Sequence, residues 1–199
     1  MMLAMYATRD DALAELAAAE RGEGWLAACE QAGRYLVITR ELADALAHLV
    51  AALEPGSVLE VCAGRGELAA ALRERGMTVV ATDVDPPAGS AVVRLDAAGA
   101  LERFRPRTVI GSFVPADAAV DEAVLAVPSV RHYLVIGARL NGQLGAPRLW
   151  SARGWRPVPL PGVTRLLVTR HDVWLGDGRG VLGRGEAWLF RRSDGAQGD

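Results

Sequence analysis

A chain of 199 residues, 51% hydrophobic and with a formal net charge of −2, is long enough for one globular domain with a substantial core. That near-neutral balance gives no overall electrostatic reason for a nucleic-acid or membrane partner. No apolar run is long enough to span a bilayer, and "MMLAMYATRDD" lacks the basic-then-apolar order of a secretory signal, so a soluble cytoplasmic protein is expected.

Residues Asp10 to Gln31 read as alanine-rich helix, interrupted near Gly22 and Gly24. "YLVIT" leads into a second helix, with Thr39 as N-cap, Leu42, Leu46, Leu49 and Val50 at helical spacing, and Pro55-Gly56 as its end. The pattern then alternates. "SVLEVC" is strand-like, "GELAAALRERG" is a helix stopped by Gly76, "MTVVATD" is the next strand and "AVVRLD" the third. "RTVIGSF" is a fourth strand, followed by a helix over Asp117 to Ala126, and "HYLVIGA" is a fifth. Apolar runs this continuous suit strands covered on both faces, as in a parallel sheet with helical crossovers. In the last third, Arg148 to Arg156 read as a short helix. "TRLLVTRHDVW" and "GEAWLFRR" read as two further strands that close the sheet as an antiparallel pair.

Charge is unevenly distributed. Met1 to Val130 holds 11 arginines against 19 acids, whereas Arg131 to Arg192 holds 11 arginines against three. The chain contains arginine but no lysine. These side chains either decorate sheet edges or form a basic mouth for an anionic substrate. Cys29 and Cys62 are too few for a disulfide framework, and no Cys or His spacing suggests a metal site.

The stretch "LEVCAGRG", Leu59 to Gly66, is a strand entering a glycine-rich turn and then a helix. Glycines let a ligand approach the backbone, and the free N–H groups of the helix start point toward it. "GRGELA" also satisfies the dinucleotide pattern G-x-G-x-x-G/A. Glu60, however, stands ahead of the glycines, where a carboxylate suits a cationic ligand group and repels a pyrophosphate. Asp83 ends the second strand, within reach of a ribose diol, and Asp96 ends the third, within reach of an adenine amino group.

On these residues the chain resembles the class I S-adenosylmethionine-dependent methyltransferases from about Thr39 to Arg192. Glu60, Cys62, Gly64 and Gly66 occupy the positions of that family's acid and three alternate glycines. Asp83 in "VVATDVDP" and Asp96 in "VRLDA" match its ribose-side and adenine-side acids. The resemblance implies a Rossmann-like, mostly parallel seven-stranded sheet with an antiparallel closing pair and helices on both faces. It further implies an N-terminal helical cap over residues 1–38, a cofactor-binding domain over 39–192 and a flexible tail over 193–199.

S-adenosylmethionine is the implied cofactor and S-adenosylhomocysteine its product. Glu60, Cys62, Ala63, Gly64, Gly66, Asp83, Val84, Asp96, Ala97 and Ser112 are the implied cofactor contacts. Cys62 replaces the first glycine, which requires that its backbone keep a negative φ and its thiol point away from the ligand. The fourth strand ends in "GSFVPAD", not in the Asn/Asp-Pro-Pro-Tyr/Phe signature of many amino-group methyltransferases.

Acceptor-facing positions in such a fold lie at the ends of strands four and five and on the N-terminal segment. Tyr35, Phe113, Arg139 and Asn141 are therefore the substrate candidates, and Asp117 and His171 the catalytic ones. His171-Asp172 is the most base-like pair, but as strand neighbours they would face opposite ways. Trp150, Trp155 and Trp174 line either an acceptor pocket or the core. A small-molecule acceptor is expected. The alternatives are an RNA methyltransferase that tracks phosphates with its arginine-rich last third and a non-catalytic binder of the cofactor.

Overall fold

The computed structural model describes residues 7–19, 23–53, 56–115, 119–139, 144–176 and 180–193. Two helices, α1 (Arg9–Ala18) and α2 (Glu23–Gln31), precede α3 (Arg40–Ala51). From α3 onward the chain alternates β1 (Val58–Val61), α4 (Glu67–Arg73), β2 (Val79–Asp83), β3 (Val93–Arg94), α5 (Ala97–Phe104), β4 (Thr108–Ser112), α6 (Val120–Ala126) and β5 (His132–Ala138). It closes with α7 (Pro147–Trp150), β6 (Trp155–Pro159), α8 (Pro161–Thr164), β7 (Val173–Trp174), β8 (Val181–Leu182) and β9 (Gly185–Arg192).

Seven strands form one sheet in the order β3-β2-β1-β4-β5-β9-β6. Strands β1 to β5 run parallel, and β9 runs antiparallel to both β5 and β6. This is the mostly parallel sheet with an antiparallel closing pair that the sequence implied. Every residue of β1 and β5 is buried, which explains why both are apolar but for Glu60 and His132. Alternate residues of β5 serve opposite faces. Leu134 and Ile136 pack with α3 and α4, whereas Tyr133 and Val135 pack with α5, α6 and α7. A third cluster of Ala12, Leu16, Trp25, Cys29, Val37 and Val168 joins α1 and α2 to the last third of the chain.

The first of these layers begins at a cap read correctly from sequence. Thr39 Oγ1 accepts the Leu42 N–H at 3.3 Å, and Leu42, Ala43, Leu46, Ala47 and Val50 turn to the sheet.

The closing pair is a correction. The strand beside β9 is β6, "WRPVP", and not "TRLLVTRHDVW". Pro157 and Pro159 are two residues apart, so both missing N–H groups fall on the same side of the strand. At the sheet edge that side carries no partner, and the prolines cost no ladder bond. "TRLLVTRHDVW" instead turns between the end of α8 and the short strand β7, which pairs with β8 in a separate two-stranded sheet. The Asp172 carboxylate accepts the Thr169 N–H at 3.0 Å, the Thr169 hydroxyl at 2.9 Å and the Arg184 N–H at 2.8 Å. Such side-chain bonds to the local backbone compete with a strand ladder. The helix expected over 148–156 is confined to α7. An unexpected helix, α5, stands between β3 and β4, capped by Asp96, whose Oδ1 accepts the Gly99 N–H at 2.7 Å.

Candidate functional site

A cleft opens at the carboxyl ends of β1 and β4, the usual ligand position in an open α/β sheet. It encloses about 510 Å³ including its open mouth, and Tyr35, Leu36, Glu60, Cys62, Gly64 and Ser112 are among its walls.

Its floor is the turn between β1 and α4. Cys62, Gly64 and Gly66 all have positive φ, at 53°, 53° and 72°. The negative φ expected of Cys62 is therefore wrong. The chain leaves β1 for α4 within five residues, and its first turn residue takes the left-handed conformation despite its side chain. The Cys62 side chain packs against the second core layer, and burial pushes its thiol up to about 11. Gly66 is required outright, because a Cβ there would sit 2.6 Å from Val92 Cγ2. At Gly64 a Cβ would meet nothing within 4 Å, so its face of the turn is open.

Three bonds pin the turn. The Ala63 N–H donates to Thr82 O at 3.0 Å, the Gly66 N–H to Ala63 O at 2.8 Å, and the Gly64 N–H to Asp83 Oδ2 at 2.8 Å. Asp83 Oδ1 accepts the Asp85 N–H at 2.9 Å, so this carboxylate organises the backbone on both sides of the site. Next to it in the chain Val84 is 65% exposed, an apolar surface beside Asp83.

Glu60 is buried, at 3% exposure, yet lines the cleft. Its Oε2 accepts the Ala69 N–H in the first turn of α4 at 2.9 Å. Its Oε1 accepts no hydrogen bond among the described residues. Burial pushes this carboxyl up to about 8, against the pull of the Ala69 N–H and of Arg73.

The opposite wall comes from the segment before α3. Leu36 bridges Thr169, the Val37 N–H donates to Val168 O at 2.9 Å, and the Arg170 N–H donates to Tyr35 O at 3.0 Å. Trp25 Nε1 donates to Thr169 O at 2.9 Å from beneath. Arg34 spans the cleft end to Glu67 in a two-pronged ion pair, Nε to Oε2 at 3.1 Å and Nη2 to Oε1 at 3.2 Å.

At the lip, three nominated residues converge. The Tyr35 and Phe113 ring centroids are 5.6 Å apart, and those of Phe113 and His171 are 6.2 Å apart. Phe113 follows β4 with φ of 53° and is anchored by its N–H to Ile136 O at 2.7 Å. Arg170 lies 3.6 Å over the Tyr35 ring and donates from Nε to His171 Nε2 at 3.2 Å. Burial, followed by the charge of Arg170, lowers the His171 pKa. His171 and Asp172 sit in a turn, not on a strand, and the buried Asp172 carboxylate is committed to Thr169 and Arg184.

Other candidates lie apart. Arg139 forms a two-pronged pair with Glu186 and stands 5.2 Å over Trp150. Trp150 and Trp155 pack against the second core layer and Trp174 against the third cluster, so the three tryptophans do not line one pocket. Asp96 is exposed and caps α5, with Ala97 as that helix's first residue. Asp117 and Asn141 lie outside the described residues. Of the arginine-rich third, Arg170 lies against the Tyr35 wall of the cleft, but the others described do not converge there. Arg131, Arg156, Arg191 and Arg192 gather at the far end of the sheet, where Arg156 pairs in register with Arg191. Arg192 stacks over Trp155 and donates to the carbonyls of Leu125, Val127 and Val130. Among the described residues no group of acids, histidines and cysteines could hold a metal ion, and no helix is long and apolar enough to cross a membrane.

Arg34, Glu67 and Arg170 are site residues that the sequence did not single out. Their adjacency to Tyr35, Gly66 and His171 was the available signal, but only the pairing of residues 35–37 with 168–170 brings them to one cleft.

The sheet order and the cleft at the β1 turn are those of an open, mostly parallel α/β sheet with an antiparallel closing pair. Solved structures similar to this chain include a Burkholderia thailandensis 1,6-didemethyltoxoflavin-N1-methyltransferase with bound 1,6-didemethyltoxoflavin and S-adenosylhomocysteine. That structure is 17% identical, with 78% of each chain covered and a TM-score of 0.49. A ribosomal protein L11 methylase from Lactobacillus delbrueckii subsp. bulgaricus is 17% identical, covering 77% of this chain and 78% of that one, with a TM-score of 0.48. A SAM-dependent methyltransferase from Archaeoglobus fulgidus is 12% identical, covering 78% and 95%, with a TM-score of 0.49. No family model matches the chain, and no curated protein matches it.

Proposed function

We propose that this chain is an S-adenosylmethionine-dependent methyltransferase acting on a small-molecule acceptor. The observation that carries this reading is the Glu60 carboxylate, buried at the cleft floor with only one of its oxygens bonded to protein among the described residues. A carboxylate so placed favours a cationic ligand group that restores what burial removes. The cofactor's α-ammonium has that charge, whereas a dinucleotide's pyrophosphate would add repulsion.

The rest of the cleft fits the same group. Gly64 leaves its face of the turn open to close approach, Asp83 stands ready for vicinal hydroxyls, and Val84 offers an apolar surface to a heteroaromatic ring. Ser112 lines the cleft from β4, and Asp96 and Ala97, at the start of α5, are the residues proposed to meet the adenine. The bound cofactor supplies an activated methyl on a sulfonium. The protein's own contribution is to orient the acceptor and exclude water. Tyr35 and Leu36 form one side of that enclosure, beside the Arg34–Glu67 ion pair. In this reading α1, α2 and the segment up to residue 38 act as a cap on the domain formed by residues 39–192.

His171 is the nominated base, and the Nε2 that would take a proton is held by Arg170. An acceptor that needs little or no deprotonation suits this arrangement. The arginines gathered at the far end of the sheet favour a small acceptor over a tracked RNA, because they lie away from the cleft.

The test is methyl transfer from tritiated S-adenosylmethionine into a small-molecule metabolite extract and, separately, into total RNA. Label in the small-molecule fraction is the expected result. Label in RNA alone overturns the acceptor class, and label in neither, with the cofactor bound, makes the chain a binder and not an enzyme.

A further inference from the structure

The cleft has acidic side chains at its floor and an arginine beside its Tyr35 wall. Glu60 and Asp83 stand at one end. Beside the Tyr35 wall, Arg170 is fixed in three ways: its backbone N–H donates to Tyr35 O, its Nε to His171 Nε2, and its guanidinium carbon lies 3.6 Å over the Tyr35 ring. Its two terminal amino groups make no hydrogen bond or ion pair among the described residues. The acid nearest in sequence, Asp172, is already committed to Thr169 and the Arg184 N–H. A guanidinium held in plane with its fork unspent is built to take two oxygens of an anion side by side.

The surroundings of that fork are aromatic. Tyr35 lines the cleft and is 39% exposed, while Phe113 behind it is 5% exposed. The centroid separations of 5.6 and 6.2 Å are too short to admit a further ring between these side chains. Of the three only Tyr35 lines the cleft, so its exposed edge, backed by Phe113, is the surface against which a flat ligand lies edge-on. Phe113 holds its place behind that edge with a left-handed backbone, a strained conformation of the sort retained where position matters.

We propose that the methyl acceptor is a small planar aromatic anion, laid against the exposed edge of Tyr35 and anchored through its acidic group on Arg170. This rests on the cofactor reading above, and the experiment separates the two. Calorimetry first measures S-adenosylhomocysteine alone. The protein saturated with it is then titrated with three aromatic carboxylates (salicylate, 4-hydroxybenzoate and 2-naphthoate), with their carboxamides, and with cyclohexanecarboxylate.

At least one aromatic carboxylate is expected to bind about tenfold or more tighter than its carboxamide and than cyclohexanecarboxylate, the difference one charge-assisted contact supplies. Arg170→Gln is expected to erase that preference while leaving the S-adenosylhomocysteine affinity within twofold. Tyr35→Leu, which leaves the guanidinium in place, is expected to weaken aromatic carboxylates but not cyclohexanecarboxylate. If none of the three carboxylates binds the loaded protein, or if carboxamides bind equally well, the acceptor class is wrong. If S-adenosylhomocysteine itself does not bind, the underlying cofactor reading falls, and this inference with it.

Discussion

Replacing Glu60 with glutamine should stabilise the free protein at alkaline pH while removing its cofactor. The Glu60 carboxyl, ordinarily ionised above 4.5, is pushed up to about 8 by burial. Below 4.5 the folded and unfolded chains both carry the proton, and Glu60 makes no pH-dependent difference. Between 4.5 and 8 the unfolded chain has released the proton and the folded chain has not, so stability falls as pH rises. Above 8 the full cost applies, about 5 kcal/mol from the distance between those two values. The amide oxygen of the introduced glutamine still accepts the Ala69 N–H, but the side chain never ionises. Urea unfolding of ligand-free protein should therefore show Glu60→Gln equal to the parent near pH 4.5 and more stable by several kcal/mol at pH 8.5. For a chain of this length that gain corresponds to about 10 °C in Tm. The same variant should bind S-adenosylhomocysteine about a hundredfold more weakly, the usual cost of removing one partner of a buried charge pair. A Glu60→Gln protein that is less stable at pH 8.5, or one whose advantage does not change with pH, would falsify this account of the site.

Substituting Cys62 by glycine should relieve about 1 kcal/mol of left-handed strain and surrender a similar amount of packing. Chemical denaturation should place it within about 1 kcal/mol of the parent, with S-adenosylhomocysteine affinity unchanged within twofold; a large loss would make the thiol a ligand contact. Gly66→Ala forces a methyl to within 2.6 Å of Val92, so a loss of about 2–3 kcal/mol is expected from overpacking. Thermal melts that leave it unaffected would mean the β1 turn is not as described. Asp83→Asn keeps only one acceptor oxygen for the Gly64 and Asp85 N–H groups, and S-adenosylhomocysteine binding should weaken by about ten- to a hundredfold in calorimetry. Affinity equal to the parent's would remove Asp83 from the site.

Much of the fold was legible because burial and periodicity agreed. The runs "VLEV" and "HYLVIGA" are apolar almost throughout because helices cover both faces of β1 and β5, and Thr39 marks the start of α3 by the chemistry of its hydroxyl. Where local chemistry opposed periodicity, the reading failed. Pro157 and Pro159 hid β6, since only the sheet's own edge makes two prolines harmless. The apolar alternation of "TRLLVTRHDVW" suggested a strand, but Asp172 draws in Thr169 and makes a turn. The floor of the cleft, proposed as the cofactor side, was legible in part for a related reason. Glu60, Gly64 and Asp83 hang on two adjacent strands whose spacing reports their proximity. The lip was only half readable. Tyr35, Phe113 and His171 were nominated separately, and nothing in their sequence positions indicates that residues 35–37 pair with 168–170 and lay Arg170 on Tyr35.

The most direct test of the central claim is the proton balance of S-adenosylhomocysteine binding at pH 7, measured by calorimetry in two buffers of different ionisation enthalpy. With the Glu60 carboxyl at about 8 in the free protein, a ligand ammonium seated on it should expel about 0.9 proton per site, and Glu60→Gln should expel none. Tight binding with no proton released would show that Glu60 is not the cation's partner, and absence of binding would remove the cofactor from this cleft altogether.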